Sequence, residues 1–266
     1  MIDSHVHLNR PEFGAEAEEV LTRARTAGVT GFLNVGYDLQ TSRESIALAT
    51  ANPDILATVG IHPHDALMVA DENGLITEDG KRALQTLEEL AADQRVVAIG
   101  EIGLDFFRDL SPRPAQKAAL QAQLALADRL KLPVVFHVRD AWPETLEQID
   151  QCGVPAGKGV LHSFSGDATA VAWARERGFL LGIGGPVTYK NSKLPEMVAL
   201  AGVDMILLET DAPWLPPVPY RGKRNESAYL AHTLEKVAEI LEMDIAEVDR
   251  KTTESFVRMF GQPGAL

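Results

Sequence analysis

The sequence predicts an α/β fold, a (β/α)8 or TIM barrel, and three observations indicate it. Short apolar runs typical of buried strands recur along the chain, and segments with helical spacing separate them. The chain has 266 residues, a length that suits one barrel or two smaller domains. Because no linker, low-complexity segment or short repeat divides it, we expect a single domain over residues 1–266.

The predicted strands follow one another along the chain. The first is amino-terminal, and its side chains alternate: Ile2 and Val6 lie on one face, Asp3 and His5 on the other. The others are more continuously apolar, as expected for strands covered on both faces. The eight runs are MIDSHVHL, GVTGFLNVG, ILATVGIHPH, RVVAIGEIGLD, LPVVFHVRD, KGVLHSFSG, GFLLGIGG and MILLETDAP.

The segments between the runs have the period of amphipathic helices. In two of them the apolar stripe is formed by Leu120, Leu124, Ala127 and Leu130, and by Leu230, Leu234, Val237 and Leu241. The last helix has a capping box, with Asp244 as N-cap and Glu247 three residues later, and is expected to run toward Phe260.

Composition limits the class of protein. With 38 acidic and 25 basic residues the formal charge is −13, which argues against coating nucleic acid by bulk electrostatics, so any polyanion must be bound locally. The single cysteine, Cys152, cannot form an intrachain disulfide, and we find neither a signal peptide nor a membrane-spanning run. We therefore expect a cytoplasmic protein that needs no membrane and no obligate protein partner.

Six of the seven histidines fall where the predicted strands end. In a TIM barrel this rim carries the chemistry, and scattered core histidines would not collect there. A metal centre does need ligands from several strands. The polar residues at these ends are His5, His7, His62, His64, Glu101, His137, His162, Glu209 and Asp211.

The number of candidate ligands suggests two divalent metal ions. His-x-His alone is only weak support for a metal site. A catalytic zinc usually takes three protein ligands, whereas six converge here: His5, His7, Glu101, His137, His162 and Asp211. Glu101, on the fourth strand, is a candidate to bridge two ions, which together can activate a water and stabilise a leaving oxygen.

An ordered set of motifs resembles the TatD family of metal-dependent deoxyribonucleases, a branch of the amidohydrolase-like TIM barrels. The motifs span nearly the whole chain: DSHVHL, GIHPH, GEIGLDFFRD, PVVFHVRDA, LHSFSG, ETDAPWL and PYRGKRNE. The resemblance implies metal-dependent hydrolysis of DNA phosphodiesters, commonly exonucleolytic. It also implies one metal held by His5, His7, Glu101 and Asp211 and another held by Glu101, His137 and His162.

Three positions depart from the family pattern. Phe107 and Trp214 stand where tyrosine is frequent, and Ser255 stands where the closing helix usually carries asparagine. None is a proposed ligand, so these departures concern the fit of the substrate.

Two carboxylates of the eighth strand receive roles. Asp211 is the candidate general base that takes a proton from the attacking water, the alternative being a helix N-cap before Pro213. Glu209 is interpreted as hydrogen-bonded support for a ligand histidine, with a buried salt bridge as the alternative. His62 is interpreted as packing near the rim.

Substrate contacts are expected from the loops. His64 is a candidate donor to a phosphate or leaving oxygen, with a histidine bonded to backbone as the alternative. Arg139 is expected to pair with Asp140, either to orient substrate or as a structural pair. Near the eighth strand, Arg221, Lys223 and Arg224 are candidate phosphate contacts, although charge runs are usually solvated. The aromatic side chains Trp214, Phe106 and Phe107 either stack on bases or pack.

The sequence thus predicts a deoxyribonuclease with two divalent ions, zinc, manganese or magnesium, acting on DNA at the barrel mouth. One rival is a binuclear amidohydrolase or lactonase acting on a small molecule. Many of those barrels bridge their metals with a carboxylated lysine, but Lys131 and Lys158 precede their strands and so belong to the opposite rim. The other rival is a non-catalytic metal-binding protein on the same fold.

Overall fold

The fold is a barrel of alternating strands and helices, as predicted. The computed structural model describes residues 1–265, and its eight strands form one sheet in the order in which they occur along the chain. The strands are β1 Ile2–Val6, β2 Gly31–Val35, β3 Ile55–Val59, β4 Val96–Asp105, β5 Val134–Arg139, β6 Gly159–Leu161, β7 Leu180–Ile183 and β8 Ile206–Leu208. Each lies within its predicted run, so the (β/α)8 fold class is confirmed.

Helices follow the strands and begin and end for local reasons. They are α1 Ala17–Thr26, α2 Leu39–Ala51, α3 Glu78–Leu90, α4 Arg113–Leu130, α5 Trp142–Cys152, α6 Ala168–Arg177, α7 Leu194–Ala201, α8 Leu230–Leu241 and α9 Ile245–Phe260. The predicted last helix is confirmed: the Asp244 side chain accepts hydrogen bonds from the backbone N–H groups of Ala246 and Glu247, and the helix ends at Phe260.

The chain divides into two compact units. The first comprises Met1–Asn34, Leu48–Leu56 and the chain from Ser163 onward, and the second comprises Val35–Ala47 and Ala57–His162. The assignment of residues 1–266 to one domain stays a prediction. No helix in the described part of the chain combines the length and apolarity needed to span a bilayer, and the cytoplasmic location stays a prediction as well.

In the first unit, parallel pairing extends past the end of a strand. β1 pairs with β2 and β7 pairs with β8. Beyond β8, Ala212 forms a parallel bridge with Val6 of β1. Helix α9 packs against β1 and β8, and α8 packs against α7 and α9. This packing places the segment that follows β8 beside the end of β1.

In the second unit, β4 is long and central. β4 pairs in parallel with β3 and β5, β5 pairs with β6, and α4 packs against β4. Gly103 lies where β4 meets β5, at φ +154°, and a Cβ there would overlap the carbonyl oxygen of His137. A side chain at this position would therefore push the two strands apart.

We predict that Gly103→Ala destabilises the protein by about 3 kcal/mol or more, because backbone cannot move aside as a flexible side chain can. The matched control is Gly178→Ala at the end of α6, where φ is +76° and no heavy atom lies within 4 Å of the added carbon. That change should cost only about 1 kcal/mol of backbone strain. Urea unfolding measures both, and equal losses would contradict the steric explanation.

Candidate metal centre

The first group of candidate ligands is assembled by backbone pairing in the first unit. The backbone N–H of Asp211 donates to the carbonyl of His5 at 2.9 Å, and the N–H of His7 donates to the carbonyl of Ala212 at 3.0 Å. The chain after β8 therefore continues the ladder with β1. This ladder brings the Asp211 side chain to the two histidines although about two hundred residues separate them.

In this group two imidazoles face each other beside a carboxylate. Nε2 of His5 lies 3.1 Å from Nε2 of His7, and Oδ1 of Asp211 lies 3.9 and 3.7 Å from these two nitrogens. Both histidines are buried, whereas the Asp211 side chain is 14% exposed and reaches solvent. Nitrogen and carboxylate donors converging in this way fit a divalent cation.

A buried aspartate fixes the turn that carries Asp211. Asp3 accepts a hydrogen bond from the hydroxyl of Thr210 at 2.6 Å and another from its backbone N–H at 3.0 Å. Burial raises the pKa of Asp3 to about 6, and these hydrogen bonds limit the rise. The sequence placed Asp3 on the same strand face as His5 but assigned it no role.

The second group is centred on Glu101 in the second unit. Oε1 of Glu101 lies 2.8 Å from Nδ1 of His137 on β5, 2.8 Å from Nε2 of His162 just after β6, and 3.6 Å from Nε2 of His62. The Glu101 backbone N–H donates to the carbonyl of Gly36 at 2.8 Å, which anchors this part of β4. A buried carboxylate ringed by imidazole nitrogens also fits a divalent cation.

The protonation of this group follows from burial and proximity. Burial is the largest single influence on Glu101 and acts to raise its pKa, but His162, His62 and His137 together hold that pKa well below its usual value. Burial, with repulsion from His137, lowers the pKa of His62 to about 3. The group therefore presents an ionised carboxylate and, at His62, a neutral ring nitrogen.

Two residues of this group were missed by the sequence reasoning. His62 was interpreted as packing, yet its ring faces Glu101 and lies 4.4 Å from the His137 ring, centroid to centroid. Asp105 received no role, yet its Oδ2 lies 2.8 Å from Nε2 of His64 and 3.1 Å from Nε2 of His137. The usable signals were the first histidine of GIHPH and the spacing of four that puts Asp105 on the strand face of Glu101.

The remaining carboxylate at the end of β8 makes a backbone contact. Oε1 of Glu209 accepts a hydrogen bond from the backbone N–H of Ser163 at 2.6 Å. A potential ligand atom of Glu209 also lies within 4.8 Å of one from His5. Support of a ligand histidine by Glu209 stays a prediction.

Two residues expected to contact substrate lie after β3 and at the end of β5, and their contacts differ in part from those expected. His64 donates its backbone N–H to Nδ1 of His62, and its side chain is 28% exposed. Arg139 does not form an ion pair with Asp140 in the described chain; its guanidinium lies over the ring of Phe107, 4.2 Å from the centroid. The expected pair is therefore corrected: β5 ends at Arg139, and the chain turns out of the strand at Asp140, where φ is +51°.

The basic loop after β8 divides into two kinds of residue. Arg224 donates to the backbone carbonyl of Glu12 at 2.8 Å and to the carboxylate of Glu16 at 2.7 Å. Arg221 instead lies over the ring of Tyr189 at 4.3 Å, and Lys223 lies 5.7 Å from the ring centre of Tyr220. Within residues 1–265, neither Arg221 nor Lys223 has a carboxylate partner.

Each of the three aromatic side chains expected to stack on bases or to pack lies against a cationic side chain. Trp214 is 40% exposed, with the guanidinium of Arg10 5.0 Å from its ring centre and the ring of His7 edge-on to it. Phe107 is 55% exposed. Phe106 has the Arg113 guanidinium 4.2 Å from its centroid.

Comparisons with known proteins agree with this picture. The model of the family "TatD related DNase" matches residues 2–261. An uncharacterized metal-dependent hydrolase, YabD of Bacillus subtilis, is 38% identical, with 98% of each chain covered. A 3'-5' ssDNA/RNA exonuclease TatD from Erwinia tasmaniensis is 35% identical over 98% of this chain and 99% of its own. The crystal structure of YJJV, a TatD homologue from Escherichia coli, superposes with a TM-score of 0.90 at 28% identity, covering 99% of this chain and 98% of its own.

The hydrogen bonds between Thr210 and Asp3, next to Asp211, lead to a prediction about stability. Thr210→Val removes the hydroxyl that donates to buried Asp3, so we expect a loss of about 1–3 kcal/mol in the free energy of unfolding. The control is Thr22→Val, which removes an exposed hydroxyl bonded within α1 and should change stability by less than about 0.5 kcal/mol. Thermal unfolding compares the two variants, and similar small effects would show that the buried contact contributes little.

Proposed function

This chain belongs to the family of TatD-related DNases and is a metal-dependent hydrolase, and we propose that it cleaves phosphodiester bonds of DNA, exonucleolytically, with two divalent cations. The observation that carries the proposal is the pair of donor groups, each with imidazole nitrogens that converge on a carboxylate. A relative that is 35% identical is named a 3'-5' ssDNA/RNA exonuclease, and this name supports nucleic acid as the substrate.

We assign one cation to each group. His5, His7 and Asp211 would hold one, and Glu101, His137 and His162 would hold the other, with the His62 ring facing the same carboxylate. The sharing of Glu101 between both ions, which the family resemblance implies, stays a prediction. Imidazole-rich sites suit zinc or manganese, and phosphodiester hydrolysis is also compatible with magnesium.

The chemistry divides between the cations and the side chains. When bound, divalent cations make a water nucleophilic at neutral pH and offset the negative charge that grows on a phosphate in reaction. We assign Asp211 the removal of a proton from the attacking water, and the partial exposure of its carboxylate supports this role. We assign His64 a donation to the leaving oxygen, and the partial exposure of its ring beside the second group supports this role.

We assign the phosphate backbone of DNA to Arg221 and Lys223, with Arg139 as a further contact. Among residues 1–265 the first two have no carboxylate partner; both are exposed, and the chain has a net charge of −13. Such charges are available to phosphates. Arg224 is bound to Glu12 and Glu16, so we give it the task of anchoring the loop instead.

A substrate panel tests the proposed function. Labelled single-stranded DNA, double-stranded DNA, RNA and a set of lactones are incubated with protein reconstituted in zinc, manganese or magnesium. We expect cleavage of DNA that chelation abolishes, with elemental analysis finding close to two ions per chain, as expected for two donor groups. Turnover of lactones alone would favour the small-molecule rival. Nuclease activity in a metal-free sample would overturn the mechanism.

The basic loop is tested by salt dependence. Each lost contact to the phosphates of a single strand should lower the slope of log affinity against log salt by about 0.7. We therefore predict this change for Arg221→Ala and for Lys223→Ala, and twice this change for the double variant. The charge-matched control, Lys117→Ala on the exposed face of α4, should leave the slope unchanged.

The same variants are then assayed with a small chromogenic phosphodiester, which is too short to reach the loop. Hydrolysis of this compound should be nearly equal in all of them. An unchanged salt slope in the double variant would show that the loop is only a solvated surface.

A further inference from the structure

Asp105 uses both oxygens of a buried carboxylate. It ends β4 and is 1% exposed. Its Oδ1 accepts hydrogen bonds from the backbone N–H groups of Phe107 at 3.0 Å and Arg108 at 2.7 Å. Its Oδ2 faces two imidazoles, those of His64 and His137. The two oxygens therefore have different tasks, one on the loop backbone and one on the rings.

The ring of His137 is held between two carboxylates. Nδ1 lies 2.8 Å from Glu101 and Nε2 lies 3.1 Å from Asp105. Because the Asp105 carboxylate accepts a hydrogen bond from Nε2, the proton of the imidazole stays on Nε2. The lone pair of Nδ1 is then available to a metal ion on the Glu101 side. Carboxylates behind metal-binding histidines commonly fix the ring in this manner.

The ring of His64 depends on the same oxygen. Its Nε2 lies 2.8 Å from Oδ2 of Asp105, while its backbone carbonyl accepts a hydrogen bond from the hydroxyl of Ser111 at 2.7 Å. The carboxylate therefore sets the rotation of the ring and leaves its Nδ1 uninvolved with Asp105. A substitution of Asp105 would therefore change the hydrogen bonding of both histidines.

We propose that Asp105 is a positioning residue that orients a metal-binding histidine, His137, and the substrate-facing His64 through a single carboxylate oxygen. The proposal rests on the proposed function for the roles of the two histidines. Its geometric content, one acceptor for two ring nitrogens, is independent of which substrate the protein cleaves.

The alternative is that Asp105 only holds the loop through Oδ1, and one substitution separates the two roles. In Asp105→Asn the amide oxygen should keep accepting hydrogen bonds from the two backbone N–H groups of the loop. The opposite orientation would place the NH2 group against these N–H groups, where both sides are donors. The NH2 group then faces the imidazoles, where it donates instead of accepting. Asp105→Ala removes both roles.

The main experiment measures zinc binding to the chelator-stripped protein, without any nucleic acid. We expect Asp105→Asn to unfold near the wild-type temperature but to bind Zn²⁺ about 10–100-fold more weakly at the second group. Asp105→Ala should lose both affinity and thermal stability. His64→Ala should keep wild-type affinity, because it leaves the His137 contact intact.

Imidazole ¹⁵N spectra report which ring nitrogen carries the proton. A role of Asp105 confined to holding the loop would not change these spectra. In the neutral ring of His64 we expect the proton on Nε2 in the wild type and on Nδ1 in Asp105→Asn, since the amide donates to Nε2. Wild-type zinc affinity and an unchanged tautomer in Asp105→Asn would overturn the proposal. Because neither measurement uses DNA, a failure of the nuclease assignment would be recognised separately.

Discussion

A buried carboxylate stays ionised only where charged or hydrogen-bond-donating groups surround it, and the candidate metal centre depends on this constraint. Glu101 is 4% exposed, and its burial alone would favour the protonated form. The three imidazoles around it reverse that preference. The histidines therefore have two roles in this site: they are potential metal ligands, and they keep the carboxylate anionic. A divalent cation would supply the same stabilisation more strongly.

Backbone pairing and buried polar side chains together determine where Asp211 lies. The ladder between β1 and the segment after β8 aligns Asp211, and the Asp3 carboxylate braces Thr210 immediately before it. The buried amide of Asn225 adds donations to the carbonyls of Thr210 and Trp214. A carboxylate held by a braced backbone keeps its position without relying on its own flexible torsions, which favours a preorganised site.

In the described chain, two cations that are candidate substrate contacts lie over aromatic rings instead of beside carboxylates. Arg139 lies over Phe107 and Arg221 lies over Tyr189. A ring face attracts a guanidinium but does not use its in-plane N–H donors, so these remain available for a phosphate. This distinction separates the candidate substrate contacts from anchoring residues such as Arg224, which pairs with Glu16.

The sequence by itself determined the eight strands, because apolar periodicity is local, and it showed that the candidate ligands lie on these strands or directly after them. It did not determine what each polar group faces. The role of Asp105 depends on β4, β5 and the turn after β3 meeting, and the pairing of Arg224 with Glu16 joins residues 208 positions apart. Only the tertiary structure decided these contacts, because side-chain partners across the fold follow from three-dimensional packing and leave no periodic trace along the chain.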